Sequence, residues 1–165
     1  MAASIDTTVG GASANSYVTL AEADAYFDEH LNVTDWTDAT DDLKNRALIQ
    51  AARRLDQLSF NGGKATEAQA LKWPRIGVVD DEGYGIDSDE IPQQMKDAQC
   101  ELALAMLASD LLADTGLEGF EMVEVGPVKA VPRHQQKAGE LPENVRRELS
   151  PFLSLAGVGI KLERA

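Results

Sequence analysis

The chain has one cysteine, Cys100, in 165 residues. No disulfide can close within it, and no cysteine-based zinc site can form. A lone thiol suits a reducing compartment, and its expected place is a small apolar position in the core. Histidine is nearly as scarce. His30 lies in an acidic stretch and His134 in a Pro/Gln-rich one, and neither has beside it the nucleophile that covalent catalysis requires. The Gly-x-Ser-x-Gly elbow is missing, and Gly62-Gly63-Lys64 lacks the first glycine of a phosphate loop. No enzymatic activity and no cofactor are expected. No apolar run approaches the ~18–20 residues of a membrane span. Residues 1–11 have neither a basic flank nor an apolar core, so no signal peptide and no membrane partner are expected.

Basic residues are outnumbered, with 15 Lys+Arg against 28 Asp+Glu and a net charge of -13. Residues 1–42 carry nine acids and no Lys or Arg. A protein whose affinity comes from neutralising phosphates needs the opposite balance. Arg53-Arg54 and Arg146-Arg147 are small basic clusters, and their simplest expectation is helix-surface charge. The acidic stretch 80–90 fails as a calcium loop. Read from Asp80, it puts Gly85 at position 6 but Tyr84 at position 5 and Ile91 at position 12, where a bidentate Glu belongs. No metal is expected there.

What the sequence does have is an apolar share of 44%, enough for a core, at the size of one domain. Thr19-Leu20-Ala21-Glu22 fits a capping box, and Leu20, Ala23, Phe27 and Leu31 share a helical face. Asp24, Asp28 and Glu29 fall off that face and are expected in solvent. Trp36 falls in a connector. A second helix opens at Thr40 or Asp41, with Leu43, Ala47, Leu48, Ala51, Leu55 and Leu58 as its stripe. Asn61-Gly62-Gly63 is expected to stop it. The pattern predicts a short helix over 66–72, closed by Pro74, then a loop over 76–90. The longest helix starts at Pro92 and runs to about 114. Its two apolar stripes, Met95/Ala98/Leu102/Ala105/Leu112 and Cys100/Leu104/Leu107/Leu111, mark it as central.

Residues 119–132 read as a hairpin or extended arm around Gly126-Pro127, and 141–153 as a last helix. Residues 155–165 read as an extended tail, and 1–18 as a mobile or partner-dependent arm. The expected fold is mainly α: a small helical bundle around one long buried helix, with a projecting hairpin arm and an extended C-terminal tail. It forms a single domain over 1–165, with a helical core at 16–118. Met122, Val123, Val125, Val128, Val131, Val158, Ile160 and Leu162 are the expected partner-facing residues. Trp73-Pro74-Arg75 is expected to be structural, with the indole plugged between the second and the long helix instead of stacking on a base.

Several segments together carry a resemblance. They are Ser16 to Phe27, Ala47-Leu48-Ile49-Gln50-Ala51, Gln69-Ala70-Leu71-Lys72-Trp73-Pro74-Arg75, Gly77-Val78, and Ile91-Pro92 before a long Ala/Leu helix. This order resembles a family of tailed-bacteriophage proteins similar to head–tail adaptors, whose members are often labelled DnaT-like single-stranded-DNA-binding proteins. The resemblance covers about residues 16–115. It implies a structural adaptor in the virion neck, made in host cytoplasm. It also implies a homo-oligomeric ring of about twelve copies between the portal protein and a downstream neck or tail-terminator protein. Double-stranded DNA would pass through that ring ungripped. The DnaT-like label implies instead a single-stranded-DNA-binding or replication accessory protein, for which Arg53 and Arg54 are the candidate contacts.

Because the tail follows the last helix and alternates apolar with polar residues, it is expected to contribute little to monomer folding. Deleting 156–165 should leave the circular dichroism spectrum nearly unchanged. Loss of helical signal would put the tail in the core.

Overall fold

Thr19 opens the first helix by the reciprocal bonds its sequence predicts. Its hydroxyl accepts the Glu22 N–H at 3.1 Å, and the Glu22 carboxylate accepts the Thr19 N–H at 2.8 Å. The computed structural model of the protein describes residues 3–108, 123–125, 128–130 and 141–154, and over these it is mainly helical. Helix α1 spans Leu20–Asp28 and buries Ala23 and Phe27. It ends before Leu31, and Asn32 follows in the left-handed region with φ of 61°, so Leu31 is left 88% exposed instead of on the stripe. Asp24 is not simply solvated either. It accepts from Trp36 Nε1 at 2.8 Å and from Lys44 Nζ at 2.9 Å. Trp36 sits in a one-turn helix, α2 (Thr34–Thr37), where a connector was expected, and its buried ring lies 4.5 Å from that of Phe27.

Helix α3 spans Asp41–Leu55 and is N-capped by Thr40. Helix α4 spans Gln93–Ala108, and α5 spans Glu143–Leu149 directly after Pro142. Helix α4 packs against both α3 and α5. The shared core takes Leu48, Ala51, Ala52 and Leu55 from α3, Met95, Ala98, Leu102 and Ala103 from α4, and Val145 and Leu149 from α5. Completely buried alanines on facing helices allow close approach of the backbones. Leu43, expected on the α3 stripe, is instead exposed.

The N-terminal segment departs furthest from expectation. From Ala3 onward it is pinned to the core instead of forming an arm. Ala3 N–H donates to Asp42 Oδ1 at 2.9 Å, Ala70 N–H to the Gly11 carbonyl at 3.0 Å, and Tyr17 N–H to Gln99 Oε1 at 2.9 Å. Gln99 itself is the polar residue that the two apolar stripes conceal. Fully buried on α4, it also donates from Nε2 to Ser16 Oγ at 2.7 Å and to the Leu48 carbonyl at 2.8 Å. One amide thus ties the N-terminal segment, α3 and α4 together.

Helix α3 stops at Leu55, with Asp56 as its C-cap, well before the Asn-Gly-Gly expected to end it. Those glycines serve a hairpin instead. Strand β1 (Gly63–Lys64) pairs antiparallel with β2 (Arg75–Ile76), with Gly63 opposite Ile76. Gly62 has φ of +68°, and a Cβ there would lie 2.1 Å from the Ile76 carbonyl oxygen, so only glycine fits. The helix expected over 66–72 does not form. The buried Gln69 side chain accepts the Thr66 N–H at 2.9 Å and donates to the Leu71 and Pro74 carbonyls at 2.9 and 3.0 Å. Such local side-chain bonds compete with helix formation.

Trp73 is buried, and its peptide bond to Pro74 is cis. Its ring meets Phe60 and Phe152 edge-on, at 5.8 and 5.5 Å. These aromatic neighbours come from the segments after α3 and after α5, not from the second and long helices. Strands β3 (Val123–Val125) and β4 (Val128–Ala130) form the two-stranded hairpin expected around Gly126-Pro127, with Glu124 opposite Lys129. The remainder of the 119–132 arm, with Met122 and Val131, lies outside the described residues. So do His134, Leu111 and Leu112 and the 155–165 tail with Val158, Ile160 and Leu162.

Two predictions follow from these buried polar groups. Gln99→Leu deprives the Tyr17 N–H and the Leu48 carbonyl of their partner, at ~1–3 kcal/mol for each buried group. A loss of at least about 2 kcal/mol is expected in urea unfolding, and an unchanged midpoint would refute the tie. Asp56 accepts from the Tyr17 hydroxyl and, at 3.0 Å, from the Lys72 N–H. Burial nonetheless raises its pKa above the ordinary carboxylate value. The folded chain therefore binds that proton more tightly than the unfolded chain. The stabilisation is full below the ordinary pKa and lost as pH rises through the raised one. Asp56→Asn removes this dependence, so its Tm relative to wild type should climb as pH rises above the ordinary carboxylate pKa. A flat difference would contradict the assignment.

Candidate nucleic-acid interface

Ion pairs link α1 with α3 and α4 and brace the first turns of α3. Lys44 meets Asp24, Arg46 meets Asp42 at 2.7 Å, and Lys96 meets Glu22 at 3.2 Å. Other cations gather where α3 ends. Arg53 and Arg54 occupy the last turn of α3, where positive charge complements the helix's terminal carbonyls. Arg53 is exposed and Arg54 half-buried, with Arg54 Nη1 donating to Gln57 Oε1.

Beyond the helix, cations wrap residues 58–62. Lys72 Nζ donates to the Leu58 carbonyl at 2.6 Å. The Arg75 guanidinium donates from Nε to Asn61 O at 2.7 Å and from Nη1 to Lys72 O at 3.1 Å. Its Nη2 reaches Phe60 O at 3.3 Å and Gly62 O at 2.8 Å. Arg75 is 7% exposed, and burial lowers its pKa, yet a guanidinium stays charged in any protein setting. The exposed Lys64 donates to the Gln69 carbonyl at 3.0 Å.

A short seam then brings in the end of α5. Phe60 bridges Leu153 antiparallel, Asn61 N–H donates to Phe152 O, and Ser154 N–H donates to Ser59 O, each of these two at 2.9 Å. Arg146 and Arg147, both exposed, lie in the last turn of α5 just before this seam. Arg53, Arg54 and Lys64 belong to the chain on one side of this seam, and Arg146 and Arg147 to the chain on the other; together they are the candidate basic ridge. Arg53 and Arg54 were legible as candidates; Lys64, Lys72 and Arg75 were missed as their companions. A signal existed. Residues 43–75 hold seven Lys/Arg against two acids, whereas 76–101 hold eight acids and Lys96. The net charge of -13 averages this segregation away.

Other candidates find structural places. Trp73 and Arg75 are both buried, so they cannot present a stacking pair to a base. In the acidic loop, Asp80 Oδ1 accepts the Glu82 and Tyr84 N–H groups at 3.0 and 2.8 Å, closing a turn. Among the described residues no cluster of three His, Cys, Asp or Glu side chains is placed to hold a metal. The His30 ring stacks on Tyr26 at 4.1 Å. Cys100 is buried, which pushes its thiol up to about 12 and leaves it a poor nucleophile near neutral pH.

Comparison with protein families matches residues 1–165 to one described as "Putative DnaT-like ssDNA binding protein". No curated protein and no solved structure matches the chain. The match overturns the head–tail adaptor expected from the resemblance. It names DNA-binding proteins, and no finding supports a virion, portal-binding, neck or head-completion role. The chain belongs to the DnaT-like ssDNA-binding protein family.

Proposed function

We propose that this protein binds single-stranded DNA as a replication accessory protein, with the ridge of Arg53, Arg54, Lys64, Arg146 and Arg147 as the contact surface. The family match over the whole chain carries this reading. The place of Arg53 and Arg54 in the last turn of α3, and of Arg146 and Arg147 in the last turn of α5, supports the location. Affinity comes from few phosphates, because the rest of the molecule is acidic. With about three to five phosphates neutralised, the logarithm of the binding constant should fall with log salt at a slope of about -2 to -3.5.

The test is fluorescence polarisation of a labelled single strand between about 50 and about 200 mM salt. Wild-type protein should bind at the lower salt. Arg53→Glu/Arg54→Glu should weaken binding by about tenfold or more while keeping the helical circular dichroism. No binding at the lower salt would overturn the function, and an unaffected variant would overturn the location.

A further inference from the structure

We infer that the exposed amides of Gln50, Gln57 and Asn61 contact base edges of a single strand held on the proposed ridge, and that these contacts carry a preference for unpaired DNA. This rests on the proposed DNA-binding reading and adds residues to the same surface. Arginine and lysine hold phosphates, which single strands and duplexes both present, so charge does not select the single strand. A single-strand binder needs a second kind of contact, to the bases. Aromatic faces are the common source. Here Phe60, Trp73 and Phe152, the aromatics beside the seam, are all buried and packed edge-on around Trp73. The other source is the hydrogen-bonding edge of the base, which amides read.

The sequence sets amides among the cations at helical spacing. No acid lies between Asp42 and Asp56. Gln50, Arg54 and Gln57 stand at i, i+4 and i+7, on one side of α3 and the turn that continues it. Gln50, Gln57 and Asn61 are all exposed. Gln57 is also oriented, because its Oε1 accepts from Arg54 Nη1, which leaves the two hydrogens of Nε2 to donate outward. Asn61 is held by its backbone, with its N–H on Phe152 O at 2.9 Å and its carbonyl on Arg75 Nε at 2.7 Å. Its Nδ2 faces the Pro151 carbonyl at 3.5 Å. Among the described residues, Asn61 Oδ1 and both amide atoms of Gln50 have no partner. Both donors and acceptors are therefore presented beside the cations. In a duplex, pairing covers the Watson–Crick edges, whereas unpaired bases turn them to such groups. Nor is the set one helix to lay in a duplex groove. It runs past the end of α3 into residues 57–61, which are joined to 151–154.

The experiment is polarisation with three labelled probes: a mixed-sequence single strand, an abasic strand of the same length and the matching duplex. Wild type should bind the single strand at least about fivefold more tightly than either of the others. Gln50→Ala/Gln57→Ala/Asn61→Ala should weaken the single strand by about tenfold and leave the abasic strand and the duplex within about twofold. Its salt slope should match wild type, because amides carry no charge. Arg53→Glu/Arg147→Glu should instead weaken all three probes and flatten the slope. Wild-type protein that binds the abasic strand as tightly as the intact one overturns this inference and leaves the proposed function standing. So does a triple variant that keeps the wild-type ratio of single strand to duplex, whether both affinities hold or both fall. Failure of wild type to bind any probe overturns both.

Discussion

One guanidinium organises the surface on which the proposed function rests. Arg75 makes four hydrogen bonds, all to main-chain carbonyls, and gathers residues 60, 61, 62 and 72 around itself. These carbonyls, partly buried and in the case of Phe60 fully so, lie in irregular chain after α3, and carbonyls removed from water without a partner are costly. The cation therefore substitutes for secondary structure. The same grip fixes Phe60 and Trp73 on the inner side of the segment, where Phe152 completes their packing. Aromatics inside and Lys or Arg outside are two faces of one stretch of chain.

A second tie works the same way at the centre. The Gln99 amide serves three partners, two in the N-terminal segment and one on α3, and it ties that segment to the core. Tyr17, held at its N–H by Gln99, reaches Asp56 with its hydroxyl, so the tie extends to the C-cap of α3 and the start of the ridge. Long-range polar bonds, more than helix propensity, set where the non-helical third of the core lies.

That division explains what the sequence made legible. The capping box at Thr19, the stripes of α3 and α4, and the hairpin around Gly126-Pro127 follow from local spacing and were readable. The pinned residues 3–18, the turn holding Trp36 and the failed helix at 66–72 depend on partners far along the chain, such as Gln99 and Asp24, or on a side chain competing with the backbone, as Gln69 does. Of the ridge, Arg53 and Arg54 were readable as adjacent letters. Their companionship with Lys64, Lys72, Arg146 and Arg147 needs the seam between residues 59–61 and 151–154. The family's DNA-binding description runs against total charge, which does not register how charge is distributed along the chain.

Segregated charge makes ionic strength decide which molecule an approaching strand meets. At about 10 mM salt the screening length is ~30 Å, comparable to a small domain, and the strand feels all of the net -13. At about 100 mM it shrinks to ~10 Å. Charge beyond that range, such as acids of the 80–90 loop or of residues 22–42 that lie farther from the strand, then fades, and under the proposed reading the ridge is what a nearby phosphate senses. Under the proposed reading, the encounter rate should be highest at intermediate ionic strength, with long-range repulsion throttling approach below it and weakened attraction above it.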